Sequence, residues 1–390
     1  MYKIQTLNKI ATEGLKRLPL ELYEVASEFA KPDGILVRSA SLHDMDLPPS
    51  LKTIARAGAG VNNIPIDTCS ERGVVVFNTT GANANAVKEL VIAGLLMSSR
   101  RLIDGIAWSK SIADKGTEIN GLVEKGKSNF AGPEIQGKTL GVVGLGAIGM
   151  QVANAALALG MRVIGFDPFI SVDVAWQLSK EVERATSLDA LFSQSDYITL
   201  HVPLLDETKG FINKSKIDLM KSGVRILNFA RGPLVDKAGM LQALDQGKVS
   251  CYVNDFPDEA YLKHDKVIAL PHLGASTPES EENCARMAVD QVRDYLENGN
   301  IRNSVNFPVA LMPRNGGYRL TIANKNIPDM VHQITSVLAS EQINISDMLN
   351  KHRGSVAYNI IDLDQEIAES SIDKLREIKG VLMVRVLTPK

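Results

Sequence analysis

Three side chains beyond residue 230 have the chemistry to move a hydride and a proton together. Arg231 stands in Asn228-Phe229-Ala230-Arg231-Gly232, Glu259 in Asp255-Phe256-Pro257-Asp258-Glu259, and His272 in Pro271-His272-Leu273-Gly274. A guanidinium can grip a substrate carboxylate through two parallel hydrogen bonds and polarise the oxygen on the neighbouring carbon. An imidazole can take a hydroxyl proton while hydride leaves that carbon, and return it in the reverse direction. A carboxylate beside the imidazole would orient it and favour its protonated form. Taken singly, each has a plainer reading as a surface ion pair, a solvated loop acid or a loop histidine. Each follows an apolar run, as does His201 in His201-Val202-Pro203, so all four can converge on one edge of a sheet.

Hydride chemistry needs an acceptor, and the chain carries the fingerprint of one. The apolar run Leu140-Gly141-Val142-Val143 leads into Gly144-Leu145-Gly146-Ala147-Ile148-Gly149, and Asp167 ends a second run, Val163-Ile164-Gly165-Phe166. Strand, glycine turn, helix and acid arrive in the order of a dinucleotide site. Gly144 permits the sharp turn, Gly146 lets the backbone approach a pyrophosphate, and Gly149 lets helix and strand pack closely. Asp167 would accept hydrogen bonds from the adenosine ribose and repel a 2'-phosphate, which favours NAD over NADP.

Alternating strands and helices must position these groups. In the first hundred residues, strands are expected at 2–7, 34–38, 52–57 and 74–78, which form a small α/β unit. A helix from Ala86 to about Arg100 then carries the chain onward. Six further strands, at 139–143, 162–166, 197–202, 224–229, 250–255 and 267–270, alternate with helices and imply a doubly wound parallel sheet. Thr277-Pro278-Glu279 reads as a capped helix start, and the helix should run to Asn298 and stop at Gly299. The stretch from Asn300 to Gly317 reads as a linker, rich in Pro and Gly. Beyond it a separate module has the order βαββαβ, a ferredoxin-like arrangement. The expected domains are 1–98, 99–276, 277–312 returning to the first, a linker at 313–317, and 318–390.

Composition narrows the partners. The 390 residues are 45% hydrophobic with a formal net charge of -2, which gives no electrostatic reason to expect nucleic acid or an anionic membrane. A small-molecule substrate is the expectation. Cys69, Cys251 and Cys284 are widely spaced with no metal-ligand pattern, so they should stay reduced and structural, and no metal is expected. Neither a signal-peptide core nor an apolar stretch of spanning length occurs, so a cytoplasmic protein without a membrane partner is expected.

The three motifs, in order behind the cofactor fingerprint, resemble those of the D-2-hydroxyacid dehydrogenases over nearly the whole chain. The resemblance implies a Rossmann-type NAD domain, a flavodoxin-like substrate domain, and Arg231, Glu259 and His272 as substrate anchor, histidine partner and acid/base. It implies cofactor contacts from Gly144, Gly146, Ala147, Ile148, Gly149, Asp167, His201, Val202, Pro203, Thr208, Phe229, Ala230, Arg231, His272 and Gly274. For the nicotinamide amide, Asp255 and Asn254 both remain candidates, because the spacing from Asp255 to Glu259 is one residue short of the commonest pattern.

Arg56-Ala57-Gly58-Ala59-Gly60-Val61-Asn62 is similar to a loop of family members acting on a phosphorylated 2-hydroxy acid, where backbone N–H groups cradle a carboxylate. Arg72 matches a second arginine directed at the phosphate. The C-terminal module resembles an ACT domain, in which Asn324, Asn326 and Asn344 would mark an amino-acid effector site. Asn324 and Asp329 stand where the effector-binding relatives carry His and Gly. Assembly as a homodimer or homotetramer is also implied. Two rival readings remain open: a family member acting on unphosphorylated 2-keto acids, and a non-catalytic NADH-sensing binding protein.

Overall fold

The structure, a computed structural model, describes residues 1–389. The chain divides into two units, one of Met1–Asn83 with Pro278–Lys390 and one of Ala84–Thr277. The first holds five parallel strands: β1 (Tyr2–Leu7), β2 (Tyr23–Ala26), β3 (Gly34–Val37), β4 (Thr53–Arg56) and β5 (Val75–Phe77). Their order, β2-β1-β3-β4-β5, is that of flavodoxin-type sheets. The central strands are apolar on both sides because both faces are covered. Val289, Val292, Tyr295 and Leu296 of the helix Pro278–Asn298 pack on Ile4, Leu36, Ala55 and Phe77, while Leu42, Leu51 and Ile64 cover Ile35, Val37 and Ile54 opposite.

The second unit is a seven-stranded parallel sheet: β6 (Thr139–Val143), β7 (Arg162–Phe166), β8 (Glu183–Arg184), β9 (Tyr197–Leu200), β10 (Val224–Asn228), β11 (Val249–Asn254) and β12 (Val267–Ala269). Its order, β12-β11-β10-β9-β6-β7-β8, reverses direction between β6 and β9, the position where doubly wound sheets hold ligands. The helix Ala84–Ser99 belongs to this unit, not the first, so the chain changes units at 83/84 instead of the expected 98/99. The reason is packing: Val87, Val91 and Leu95 share a core with Val142, Val152, Leu227 and Val253. Gly94 lets Phe229 and Val253 approach, since a Cβ there would lie 3.0 and 3.1 Å from them.

No element is expected from sequence over residues 102–130. They form the helices Leu102–Ser111 and Ile119–Gly126 with short 3-10 turns, and neither helix buries a residue. Their apolar residues, Leu102, Ile103 and Ile106 among them, therefore mark no inward face. Strands β2 and β8, four and two residues long, also escaped the sequence reading.

The C-terminal segment has β13 (Tyr318–Lys325), β14 (Ile345–Arg353), β15 (Val356–Leu363) and β16 (Val381–Leu387) in an antiparallel sheet of order β14-β15-β13-β16. Helices Met330–Ser340 and Glu369–Glu377 cover one face through Leu320, Ile322, Ile334, Leu338, Ile361 and Leu375. The segment is not separate, as the sequence suggested. Its other face, with Ala323, Tyr358 and Ile360, joins the core of the first sheet and the helix Pro278–Asn298. The expected linker is part of that core as well: Ile301, Phe307, Ala310 and Met312 are buried, and Ile301 pairs with Ala310.

Arginines secure this junction. Arg319, fully buried, holds Asp362 in a bidentate ion pair of 2.6 and 2.8 Å and donates to the carbonyls of Asn298, Met312 and Pro313. Arg385 donates to the carbonyls of Tyr295 and Leu296, and Arg314 to that of Glu297. Those oxygens end the helix Pro278–Asn298, where the last turn lacks internal donors and carries partial negative charge.

Candidate functional site

Strand register builds the second unit's site. Ala269, Asn254, Asn228, Leu200, Val143 and Phe166 are paired in succession across β12, β11, β10, β9, β6 and β7, so they form one row. All these strands are parallel, and the row marks their carboxyl ends. One residue beyond it stand Asp255, His201, Gly144 and Asp167; three residues beyond it stand Arg231 and His272. Regular pairing alone brings the separate motifs to one edge.

The glycine turn takes the expected form. Gly144 has φ +90, and a Cβ there would lie 2.8 Å from the backbone of His201 and 3.0 Å from Val202. At Gly149 a Cβ would come within 2.0 Å of the Gly144 carbonyl oxygen, whereas at Gly146 it would meet open space. The helix Ala147–Ala158 begins without a side-chain cap, and among the described residues the N–H groups of Ala147 and Ile148 meet no acceptor. An uncapped helix start behind an unobstructed glycine suits a pyrophosphate. Asp167 accepts from the Leu145 and Phe169 N–H groups, 2.8 Å each, which fixes its carboxylate at the end of β7.

His201 bonds through Nε2 to the buried Thr199 hydroxyl at 2.9 Å, and burial pushes its pKa down to about 3. It is a neutral imidazole at ordinary pH. The Thr208 hydroxyl donates to the Pro203 carbonyl and accepts from the Leu205 N–H, so it shapes the turn after β9. Phe229 is a core side chain, which leaves its backbone and that of Ala230 to line the edge. Arg231 is exposed, with Nη1 donating to the Ala230 carbonyl at 2.7 Å.

His272 has left-handed backbone, φ +57, and its ring meets Phe256 edge-on at 5.1 Å. Phe256 also packs at Gly232, where a Cβ would lie 3.2 Å away. It therefore touches the loops carrying Arg231 and His272, a role the sequence reading did not assign. Asp255 and Asn254 separate clearly. Asp255 accepts from the Leu273 N–H at 2.7 Å and the Gly274 N–H at 2.8 Å; burial pushes its carboxyl above the usual range, and these bonds pull it back. Asn254 uses Oδ1 for the Phe256 N–H and keeps a buried Nδ2 that meets no partner among the described residues.

Glu259 is not brought to His272. Asp258 caps the short helix Glu259–Leu262, which turns Glu259 outward to pair with Lys263 one helical turn on, at 83% exposure. The expected histidine partner is thus a surface ion pair in this structure.

The first unit has a second polar feature at the carboxyl end of β4. From Gly58 to Asn63 every carbonyl accepts a hydrogen bond from the surrounding fold: Thr79 N–H, Asn78 Nδ2, Arg56 Nη1, Ile64 N–H, His43 Nε2 and Leu42 N–H, in that order. With the carbonyls anchored, the N–H groups of Ala59, Gly60, Val61, Asn62 and Asn63 meet no acceptor among the described residues. Five successive bare donors make an anion cradle. Arg56 helps shape the loop, with Nε also donating to the Arg38 carbonyl at 2.9 Å.

Arg72 does not join this loop. It follows the helix Ile66–Glu71, which returns the chain to the amino end of β5, and Gly73 beside it packs against Leu382 and Met383 of β16. The loop lies at the opposite end of the same parallel strands.

The expected effector residues also part. Asn324 is buried and accepts from Asn359 Nδ2; Asn326 donates to the Gly354 carbonyl at one end of the sheet, and Asn344 pairs with Asp364 at the other. The three cysteines are buried and unpaired, and burial raises the Cys251 thiol to about 12. Among the described residues no cluster fit for a metal and no helix able to cross a membrane occurs.

Residues 92–274 match the family model of the D-isomer specific 2-hydroxyacid dehydrogenase NAD binding domain. The chain is 37% identical over 295 residues to D-3-phosphoglycerate dehydrogenase of Archaeoglobus fulgidus, covering 73% of this chain and 53% of that protein. It is 33% identical over 326 residues to the Bacillus subtilis enzyme of the same name, covering 79% and 59%. The chain thus spans little more than half the length of these relatives. Among solved structures it is similar to NAD+-bound 3-phosphoglycerate dehydrogenase of Entamoeba histolytica, with a TM-score of 0.60 at 27% identity over 78% of this chain and 98% of that one.

Proposed function

We propose that this chain, whose residues 92–274 match the NAD binding domain of the D-isomer specific 2-hydroxyacid dehydrogenases, is a member of that family and interconverts 3-phospho-D-glycerate and 3-phosphohydroxypyruvate with NAD, the entry to phosphorylated serine biosynthesis. The observation that carries this reading is the single row of paired residues that delivers the glycine turn, His201, Arg231 and His272 to one edge. The names of the matched relatives support the phosphorylated substrate.

The residues present fit the dinucleotide. The open space at Gly146 and the bare N–H groups of Ala147 and Ile148 would hold its pyrophosphate, and Asp167 its adenosine ribose. Asn254 Nδ2, buried without an acceptor, would hold the nicotinamide amide. NAD, when bound, supplies the hydride acceptor. Arg231 binds the substrate carboxylate and polarises the C2 oxygen. The His272 imidazole takes the C2 hydroxyl proton as C2 loses hydride and becomes a ketone; in reduction it returns the proton to the new alkoxide. Glu259 has no step in this scheme. In the other unit, the bare N–H groups at 59–63, with Arg56 holding the shape of their loop, suit an oxyanion.

The roles of the units follow as part of the proposal: Ala84–Thr277 binds the coenzyme, the sheet β1–β5 recognises substrate, and the C-terminal sheet is an ACT-type module serving assembly. The exposed Leu102, Ile103 and Ile106 suit a homo-oligomeric contact.

NADH oxidation with 3-phosphohydroxypyruvate, glyoxylate and pyruvate side by side tests the reading. The phosphorylated acid should give the highest kcat/KM, and His272→Ala should abolish most turnover with NADH affinity retained. A preference for glyoxylate or pyruvate would reassign the substrate. Near-normal turnover in His272→Ala would remove the mechanism.

A further inference from the structure

We infer that Asp255 is the positioning residue for His272, a role that rests on the dehydrogenase reading above. Asp255 is 1% exposed, and among the described residues no lysine or arginine forms an ion pair with it. A buried carboxylate without a cation persists only where hydrogen bonds compensate it. The compensation comes from His272 and the two residues after it: Leu273 N–H reaches Oδ1 at 2.7 Å, Gly274 N–H reaches Oδ2 at 2.8 Å, and the backbone and charge of His272 add to them. The carboxylate therefore clamps the backbone that carries the imidazole.

That backbone needs a clamp. His272 has φ +57, a conformation that residues with a Cβ adopt at a cost and that surrounding structure must enforce. Gly274 is shaped to the same contact, since a Cβ there would stand 3.0 Å from Asp255 Oδ2. Asp255 is anchored in turn, its N–H donating to the Asn228 carbonyl at 3.1 Å. Phe256 adds the second constraint by meeting the imidazole edge-on. Two consecutive residues after β11 thus fix the backbone and the ring of His272, and both oxygens of Asp255 are already engaged by this task. Glu259, the acid expected to orient the imidazole, points elsewhere.

The test uses the full chain with NADH bound. Asp255→Ala should lower kcat about a hundredfold, the loss expected when a reacting group is displaced by roughly 1 Å, with the KM for the 2-keto acid and the Kd for NADH changed less than about threefold. Asp255→Asn keeps the shape and one acceptor oxygen but sets an amide N–H₂ against the other backbone N–H, so its kcat should fall about tenfold. Asn254→Ala is the contrast, expected to weaken NADH binding. Retention of kcat in both Asp255 variants, or loss of NADH affinity in step with turnover, overturns the assignment. If turnover survives His272→Ala, or wild type has none, the parent reading fails and this one with it. Turnover lost in His272→Ala but intact in both Asp255 variants overturns only the positioning role.

Discussion

The guanidinium of Arg385 lies 4.3 Å from the centre of the Tyr295 ring and donates to the carbonyl oxygen of that same residue. One cation thus answers the aromatic face and the helix end together. Tyr358, on the neighbouring sheet surface, donates to the Gly299 carbonyl at 2.8 Å, and Tyr2 of β1 donates to that of Leu296. The last turn of the helix Pro278–Asn298 is therefore capped from two sheets at once.

Arg319 makes this junction testable. Arg319→Ala would leave Asp362 buried without its cation and three carbonyls without a donor, which should cost about 3–5 kcal/mol in urea unfolding. Arg319→Met with Asp362→Leu should recover part of that loss, because the uncompensated charge is gone. Equal urea midpoints for the single and double variants would show that the charge is not the source.

Two glycines of the same turn should behave differently. Gly149→Ala places a Cβ within 2.0 Å of the Gly144 oxygen and should destabilise the fold as well as abolish NADH binding. Gly146→Ala meets nothing within 4 Å, so the melting temperature should hold while NADH affinity drops about tenfold or more. Undiminished affinity in Gly146→Ala would place the pyrophosphate elsewhere.

His201 ties stability to pH with a definite sign. In the fold its pKa is about 3, against an ordinary 6.5, so between those values only the unfolded chain binds the proton. Stability from this group is intact above pH 6.5 and declines as pH falls toward 3. Melting temperatures at several pH values across that window should fall less steeply in His201→Gln than in wild type. Identical slopes would mean that His201 is protonated in the fold.

Arg72 lies at the amino end of β5, away from the cradle. Arg72→Ala should therefore change KM for 3-phosphohydroxypyruvate and hydroxypyruvate alike, by less than about threefold. A selective rise for the phosphorylated acid would return the residue to the substrate.

Much of this architecture was legible from residues alone. The helix Pro278–Asn298 was readable to both ends because Thr277, Pro278 and Gly299 act locally, and β6 and β7 because uninterrupted apolar runs meet a glycine or an acid. Gly144, His201, Arg231 and His272 were legible as a group because each follows such a run. Glu259 and Arg72 were misplaced because their directions depend on a four-residue helix and on the path of a returning helix, which spacing does not disclose. The segment 300–317 looked like a linker because its buried residues Ile301, Phe307, Ala310 and Met312 have no regular period; they fill gaps around the two sheets and the helix between them.

The common row at the carboxyl ends of six strands separates what can vary from what cannot. Loops leaving that row can lengthen, shorten or exchange residues to suit a different ligand while the frame beneath stays whole. A single residue deleted inside β10 or β11 would instead swing every following side chain to the opposite face of the sheet, exchanging core for solvent. Evolution of new specificity in this scaffold is thus confined to the rim, and its tolerance of insertion ends where the ladder begins.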